Sequence, residues 1–172
     1  MFLKIITAVF VLVFFNCELK AQNSVTLNVK LYPIQTLLVN ASQNNVDLEY
    51  HTREDYKNGV TSEQRDHLTI YSTGGFQVKV SAVATTAENP VEENITVFPS
   101  SGSKPLNSSH VVYTGKNISA VEQPIISATK GAIDKNVNIS YIGAGADAFV
   151  GYTKNNRTAN IGYTVVYTIV SQ

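Results

Sequence analysis

Between positions 47 and 67 the chain concentrates side chains that can move protons or bind cations: Asp47, Glu49, His51, Arg53, Glu54, Asp55, Lys57, Glu63, Arg65, Asp66 and His67. Carboxylates near imidazoles are the raw material of acid–base catalysis and of metal sites. The spacing supplies neither. A calcium loop needs Asp-x-Asp-x-Asn-Gly, which is missing. His51 and His67 have no second His or Cys at the short intervals of zinc ligands. The stretch reads as a solvated loop between two strands, with a turn at Asn58-Gly59.

Nucleophilic chemistry is equally short of parts. There is no Gly-x-Ser-x-Gly, and the three histidines follow no triad order. Gly143-Ala144-Gly145-Ala146 carries two glycines of a phosphate-binding loop but lacks the third glycine and the following helix, so it reads as a turn or bulge. No catalytic residue, no cofactor-binding residue and no metal ligand is assigned. The expectation is a protein that is not an enzyme and uses no cofactor.

Binding residues are more plentiful. The chain has nine Tyr, seven Phe and no Trp. Tyr32, Tyr56, Tyr71, Tyr113 and Tyr152 are expected outside the core, where an exposed ring can stack on a sugar face. Six Asn-x-Ser/Thr sequons occur, at Asn40, Asn94, Asn107, Asn117, Asn138 and Asn156. In a eukaryotic secretory route they would carry glycans, and in a bacterium they describe a polar strand-and-turn surface. Nucleic acid is not an expected partner. The 13 basic and 13 acidic side chains cancel, whereas phosphate binding needs a basic surplus. Charged residues make up only 15%, low for a cytosolic enzyme and common among exported β-proteins.

The N-terminus agrees with export. Lys4 precedes an apolar run, Ile5 to Phe15, broken only by Thr7. The run has the length of a signal-peptide core and falls short of the roughly 20 residues of a spanning helix. Leu19-Lys20-Ala21 ends on a small residue, so residues 1–21 read as a cleaved secretory signal and Gln22 as the mature N-terminus. Cys17 would be the acylated residue of a lipoprotein, but Phe14-Phe15-Asn16 before it lack the small side chains such processing accepts. Cleavage after Ala21 removes the only Cys and leaves a charge near −1. The mature chain, with no membrane span and no disulfide, must rely on its core. At about 150 residues it can bury roughly two-thirds of its unfolded surface. The expected location is the periplasm, the outer surface or the extracellular space.

Period-2 alternation dominates the mature chain. Val25, Leu27, Val29 and Leu31 alternate with polar residues. Pro33 interrupts, and Ile34 to Val39 resumes. Val46, Leu48 and Tyr50 alternate again, as do Leu68 and Ile70. After Gly74-Gly75, Phe76, Val78, Val80 and Ala82 share one face, opposite Gln77, Lys79 and Ser81. Further strands are expected at Ile95 to Phe98, Val111 to Thr114, Val137 to Ile142 and Ile161 to Val170. The last is apolar or β-branched on both faces and reads as a central strand. Ser62 to Asp66 is the one place where a short helical turn is expected. Ser100 to Ser109 reads as a surface loop. The sum is an all-β chain: residues 22–172 as a single antiparallel β-sandwich of about 7–9 strands, immunoglobulin-like or pilin-like.

Three segments carry a resemblance: Val25–Leu31 with its Pro-bounded continuation, Leu68-Thr-Ile-Tyr-Ser-Thr-Gly-Gly-Phe-Gln-Val-Lys-Val, and Gly162-Tyr-Thr-Val-Val-Tyr-Thr-Ile-Val. With them the mature region resembles small exported β-sandwich proteins of Gram-negative bacteria, including pilin-like and spore-coat-U-like families. The signal ending Leu-Lys-Ala-Gln looks like those of the Bacteroidota. The resemblance implies a non-enzymatic, structural or adhesive subunit at the cell surface or in a fimbria. Its implied partners are other copies, a chaperone, or a host or matrix surface, joined by strand addition. Ser24 to Leu31 has the alternation of a donor segment, and equally that of the domain's own first strand. The alternative function is a secreted or periplasmic module that binds a carbohydrate or small ligand.

Overall fold

The computed structural model describes residues 22–85, 92–153 and 157–172. The expected signal peptide, Cys17 and the sequon at Asn156 lie outside them. The chain divides into two compact units, Met1–Leu31 and Tyr32–Gln172. In the first, the described residues 22–31 form no helix and no strand. Alternation there is real, but the expected strand Val25–Leu31 pairs with no described strand: Val25, Leu27, Val29 and Leu31 are 91%, 85%, 72% and 88% exposed.

The second unit is an all-β sandwich of two antiparallel sheets. Its strands are β1 (Gln35–Val39), β2 (Val60–Ser72), β3 (Phe76–Ala84), β4 (Ile95–Ser101), β5 (Val111–Tyr113), β6 (Lys116–Asn117), β7 (Gln123–Ala128), β8 (Ala132–Gly143) and β9 (Tyr163–Ser171). The first sheet runs β1-β2-β8-β4-β6 and the second β5-β7-β3-β9. Gly74 and Gly75 separate strands of different sheets, so this glycine turn is a crossing between layers and not a hairpin.

The core forms where the inward faces of the sheets meet. Phe76, Val78, Val80 and Ala82 of β3 are buried, as their alternation requires. They meet Leu68 and Ile70 of β2, Val97 of β4, Ile125 and Ile126 of β7, and Val137 and Ile139 of β8. Each such side chain contributes roughly 1.5–3 kcal/mol when fully removed from water. β7 carries no alternation, because Ile125 and Ile126 are adjacent and Pro124 precedes them. The sheet takes up Pro124 at a register shift between Val78 and Lys79 of β3.

Three local expectations change. Ser62 to Asp66 is not helical; it is the first half of the long strand β2. The helix lies earlier, as α1 (Arg53–Asn58), and its signal was Thr52 followed by Asp55. Thr52 Oγ1 accepts from Asp55 N–H, and the Asp55 carboxylate accepts from Thr52 N–H at 2.7 Å, which is a reciprocal capping box. Among the described strands β9 is an edge strand, paired with β3. Its outward residues are partly exposed, Val166 among them. β-Branched residues on both faces therefore mark strand propensity, and not a lateral neighbour on each side.

Val46, Leu48 and Tyr50 also differ in kind. They alternate inward as expected, and Val46 and Leu48 pack on the core, yet residues 44–51 form no ladder.

Candidate functional site

The acidic residues of the 47–61 region border an open cleft of about 500 Å³, lined by Asp47, Leu48, Glu49, Asp55, Gly59, Val60 and Thr61. Asp55 and Glu49 are committed to local bonds. Asp55 accepts from the backbone of Thr52 at 2.7 Å and of His51 at 2.9 Å. Those bonds, Thr52's foremost, hold its carboxyl below the usual carboxylate range, so it stays ionised and structural near neutrality. Glu49 pairs with His51 at 3.0 Å, both largely exposed. Among the described residues no group of three His, Cys, Asp or Glu side chains is arranged to hold a metal ion.

Beside this cleft the structure assembles an aromatic string that the sequence left scattered. Tyr50 packs against Tyr56, with ring centroids 5.3 Å apart, and against Phe149 at 4.9 Å. Phe149 in turn meets Tyr152 at 6.0 Å. All four rings are half-buried. Tyr50 donates its hydroxyl to the Ala144 carbonyl at 2.8 Å, and burial pushes its pKa up to about 12.

The loop carrying Phe149 is fixed by the helix. Ala146 N–H donates to the Lys57 carbonyl at 2.8 Å, and Asp147 N–H to the Tyr56 carbonyl at 2.9 Å. These bonds satisfy carbonyls that the C-terminus of α1 would otherwise leave open. Gly145 makes the approach possible, since a Cβ there would sit 2.5 Å from the Lys57 carbonyl oxygen. The Gly-Ala-Gly-Ala motif is thus a packing loop.

Of the tyrosines expected outside the core, Tyr32 is exposed, and Tyr56 and Tyr152 belong to the aromatic string. Tyr71 is half-buried, and Tyr113 packs against the core. Rings for a single flat platform are not brought together from these five.

Several of the described sequon asparagines serve as local braces. Asn40 and Asn107 each cap a single 3-10 turn and accept bonds from the Ser two residues on. Asn138 uses both ends of its amide. Its Oδ1 accepts from Asp66 N–H at 2.8 Å, and its Nδ2 donates to the Ser101 carbonyl at 2.9 Å.

That Asn138 contact sits at a bulge. The β2–β8 register passes from Gln64–Ile139 to Leu68–Val137, so three residues of β2 face the single residue Asn138. Asp66 takes a positive φ of 51° there, and its carboxylate accepts from Ser103 N–H and Oγ–H at 2.8 and 2.7 Å. His67, one of the two extra residues, turns inward and is only 2% exposed.

His67 joins a polar chain that no sequence signal announced. Its Nδ1 lies 2.9 Å from Gln43 Oε1 and its Nε2 lies 3.2 Å from the Tyr141 hydroxyl. Tyr141 continues to the Tyr167 hydroxyl at 2.8 Å. Both tyrosine rings stand edge-on to the imidazole, with centroids 5.9 Å away. Burial lowers the His67 pKa and raises those of Tyr141 and Tyr167.

No protein-family model and no curated protein sequence matches this chain. No helix among the described residues is long and apolar enough to cross a membrane.

Proposed function

We propose that this chain is an exported, non-enzymatic structural or adhesive subunit of the cell surface, which joins other copies of itself through strand addition. The observation that carries this reading is the segment Ser24–Leu31. Four apolar residues alternate with polar ones there, all four are more than 70% exposed, and no ladder among the described residues uses the segment. A stretch with this pattern is costly to leave in water, and a strand partner relieves the cost.

β9 offers a place for such a strand. Gln172 N–H donates to the Gly75 carbonyl, and Thr85 N–H to the Gly162 carbonyl. Even-numbered residues of this strand therefore turn their backbone groups toward β3. The odd ones from Val165 to Ser171 turn theirs to the open edge, where no described strand pairs with them. An added Ser24–Leu31 segment from a second copy would extend the second sheet and bring its apolar side chains down beside Val165, Tyr167 and Ile169.

The test uses the mature chain and a deletion of residues 22–31. The deletion variant is expected to remain folded, monomeric and β-rich, and to capture a synthetic Ser24–Leu31 peptide. The mature chain is expected to form concentration-dependent oligomers by size-exclusion chromatography with light scattering. A mature chain that stays monomeric at high concentration, with a deletion variant that takes up no peptide, overturns the reading.

The aromatic string of Tyr50, Tyr56, Phe149 and Tyr152 beside the carboxylates of Asp47 and Glu49 favours a second reading, a module that binds a carbohydrate. Rings supply stacking area and carboxylates accept hydroxyl protons. Polysaccharide pull-down that is lost in Tyr152→Ala and retained in Tyr32→Ala would favour this module over the structural subunit.

A further inference from the structure

The bonds around His67 have only one consistent direction. Gln43 Nε2 donates to the Arg65 carbonyl at 2.9 Å, and a carbonyl can only accept. That fixes the Gln43 amide, so the atom facing His67 is Oε1, also an acceptor. Nδ1 of neutral His67 must therefore carry the ring proton. Nε2 is then a lone pair, and Tyr141 O–H donates to it. The Tyr141 oxygen, its proton used, accepts from Tyr167 O–H. One chain of donors thus runs from β9 in the second sheet, through β8 and β2 in the first, to the turn Ala41–Gln43 and back to β2.

A proton on Nε2 breaks this order. The imidazolium has two donors, so Tyr141 must turn and accept. Its own proton then points at Tyr167, whose hydroxyl has no other hydrogen-bond acceptor among the described residues. Among the described residues no charge faces the cation to compensate it. The groups that face His67 are Gln43 from the turn, Tyr141 from β8 and Tyr167 from β9, all neutral. On β2 itself, the Asp66 carboxylate is turned to Ser103 and Arg65 lies beside Glu63 at 3.8 Å on the exposed side.

We propose that Gln43, His67, Tyr141 and Tyr167 form a proton-sensitive latch between the two sheets, closed while His67 is neutral and released when it is protonated at Nε2. The latch does not depend on strand addition. It holds edge strand β9 to the first sheet near neutrality and loosens that hold in mild acid. The sign follows from linkage. The folded state binds the His67 proton less readily than the unfolded chain does. The latch's stability is therefore complete above the usual histidine pKa of 6.5 and is lost as pH falls from there through the lower folded value.

Urea unfolding of the wild type and of His67→Gln, followed from about pH 8 to about pH 5, tests it. The unfolding constant of the wild type is expected to rise relative to the variant by up to about tenfold for each pH unit below 6.5, until the folded pKa is reached. Parallel pH profiles for the two proteins overturn the latch. Should His67→Gln fail to fold, imidazole ¹⁵N spectra of the wild type decide, with His67 assigned through its contact with the Tyr141 ring. A proton on Nδ1 at neutral pH and a titration below 6.5 are expected. A proton on Nε2 at neutral pH, or a titration at or above 6.5, overturns the proposal.

Discussion

The hydroxyls of Tyr141 and Tyr167 meet at 2.8 Å, one reaching in from each sheet. Tyr141 is both a donor, to His67, and an acceptor, from Tyr167, whereas Tyr167 only donates. The two residues are therefore unequal. Tyr167→Phe removes one bond and leaves Tyr141 still donating to His67, at a cost of about 0.5–1.5 kcal/mol. Tyr141→Phe leaves both His67 Nε2 and the Tyr167 hydroxyl without their partner, about 1–3 kcal/mol for each buried group. Urea unfolding at neutral pH should rank Tyr141→Phe clearly below Tyr167→Phe. The reverse order would contradict this donor direction.

Adjacent residues of β3 should respond in opposite ways. Val80 is buried at the centre of the core, so Val80→Asp places a carboxylate where it has no partner, at a cost of several kcal/mol, and should prevent folding. Lys79 lies on the other face, its amine 4.0 Å from Glu122. Lys79→Asp replaces that weak attraction with a repulsion and should cost no more than about 1 kcal/mol. Circular dichroism of the purified variants separates the two.

The bulge at Asp66 can be taken apart by two substitutions. Both Asp66→Gly and Asp66→Ala lose the bonds to Ser103, but only Ala must hold the positive φ of 51° with a Cβ. Asp66→Gly should melt above Asp66→Ala in thermal unfolding. Equal melting temperatures would mean that the backbone relaxes out of this conformation.

Acid should also expose the two braced carboxylates. The Asp55 carboxyl is lowered chiefly by the Thr52 backbone and that of Asp66 chiefly by the Ser103 hydroxyl. Both therefore give stability that is complete above the usual aspartate value of 3.8 and is lost as pH falls through their lower folded values. Asp66→Asn should be less stable than the wild type at neutral pH, and the gap should close below that window. A gap that stays constant into strong acid would assign the effect to packing.

Gly59 closes α1 with φ 84° and ψ 173°, a region that only glycine occupies without strain. Gly59→Ala should cost about 1–3 kcal/mol and loosen the helix against residues 143–145. Faster amide exchange at Ala146 and Asp147, whose N–H groups bond to α1, would register it.

Strand phase was legible in the residues themselves. Phe76, Val78, Val80 and Ala82 are all inward because a pleated chain has only two faces, and burial selects the apolar one. The inward set of Val46, Leu48 and Tyr50 was legible for the same reason, although no ladder forms there. Alternation reports which side of a chain meets the core. It does not report which strand lies alongside. Among the described strands β9 looked central and is an edge, Val25–Leu31 looked like a strand and pairs with none of them, and β7 with Pro124 was not visible at all. Lateral pairing depends on backbone groups that every residue carries alike, so it is settled only when distant segments compete for the same edge.

The polar constellations divide along the same line. The capping box of Thr52 and Asp55 lies within four residues and could be read locally, while the composition and the alternation determined an all-β chain with an apolar core. The latch of Gln43, His67, Tyr141 and Tyr167 spans more than a hundred positions. Its key step is one bulge, where three residues of β2 face one of β8 and His67 turns from the surface to the interior. Tertiary structure alone decided that, because an extra residue in a ladder is defined by the partner strand and not by the residue's own neighbours.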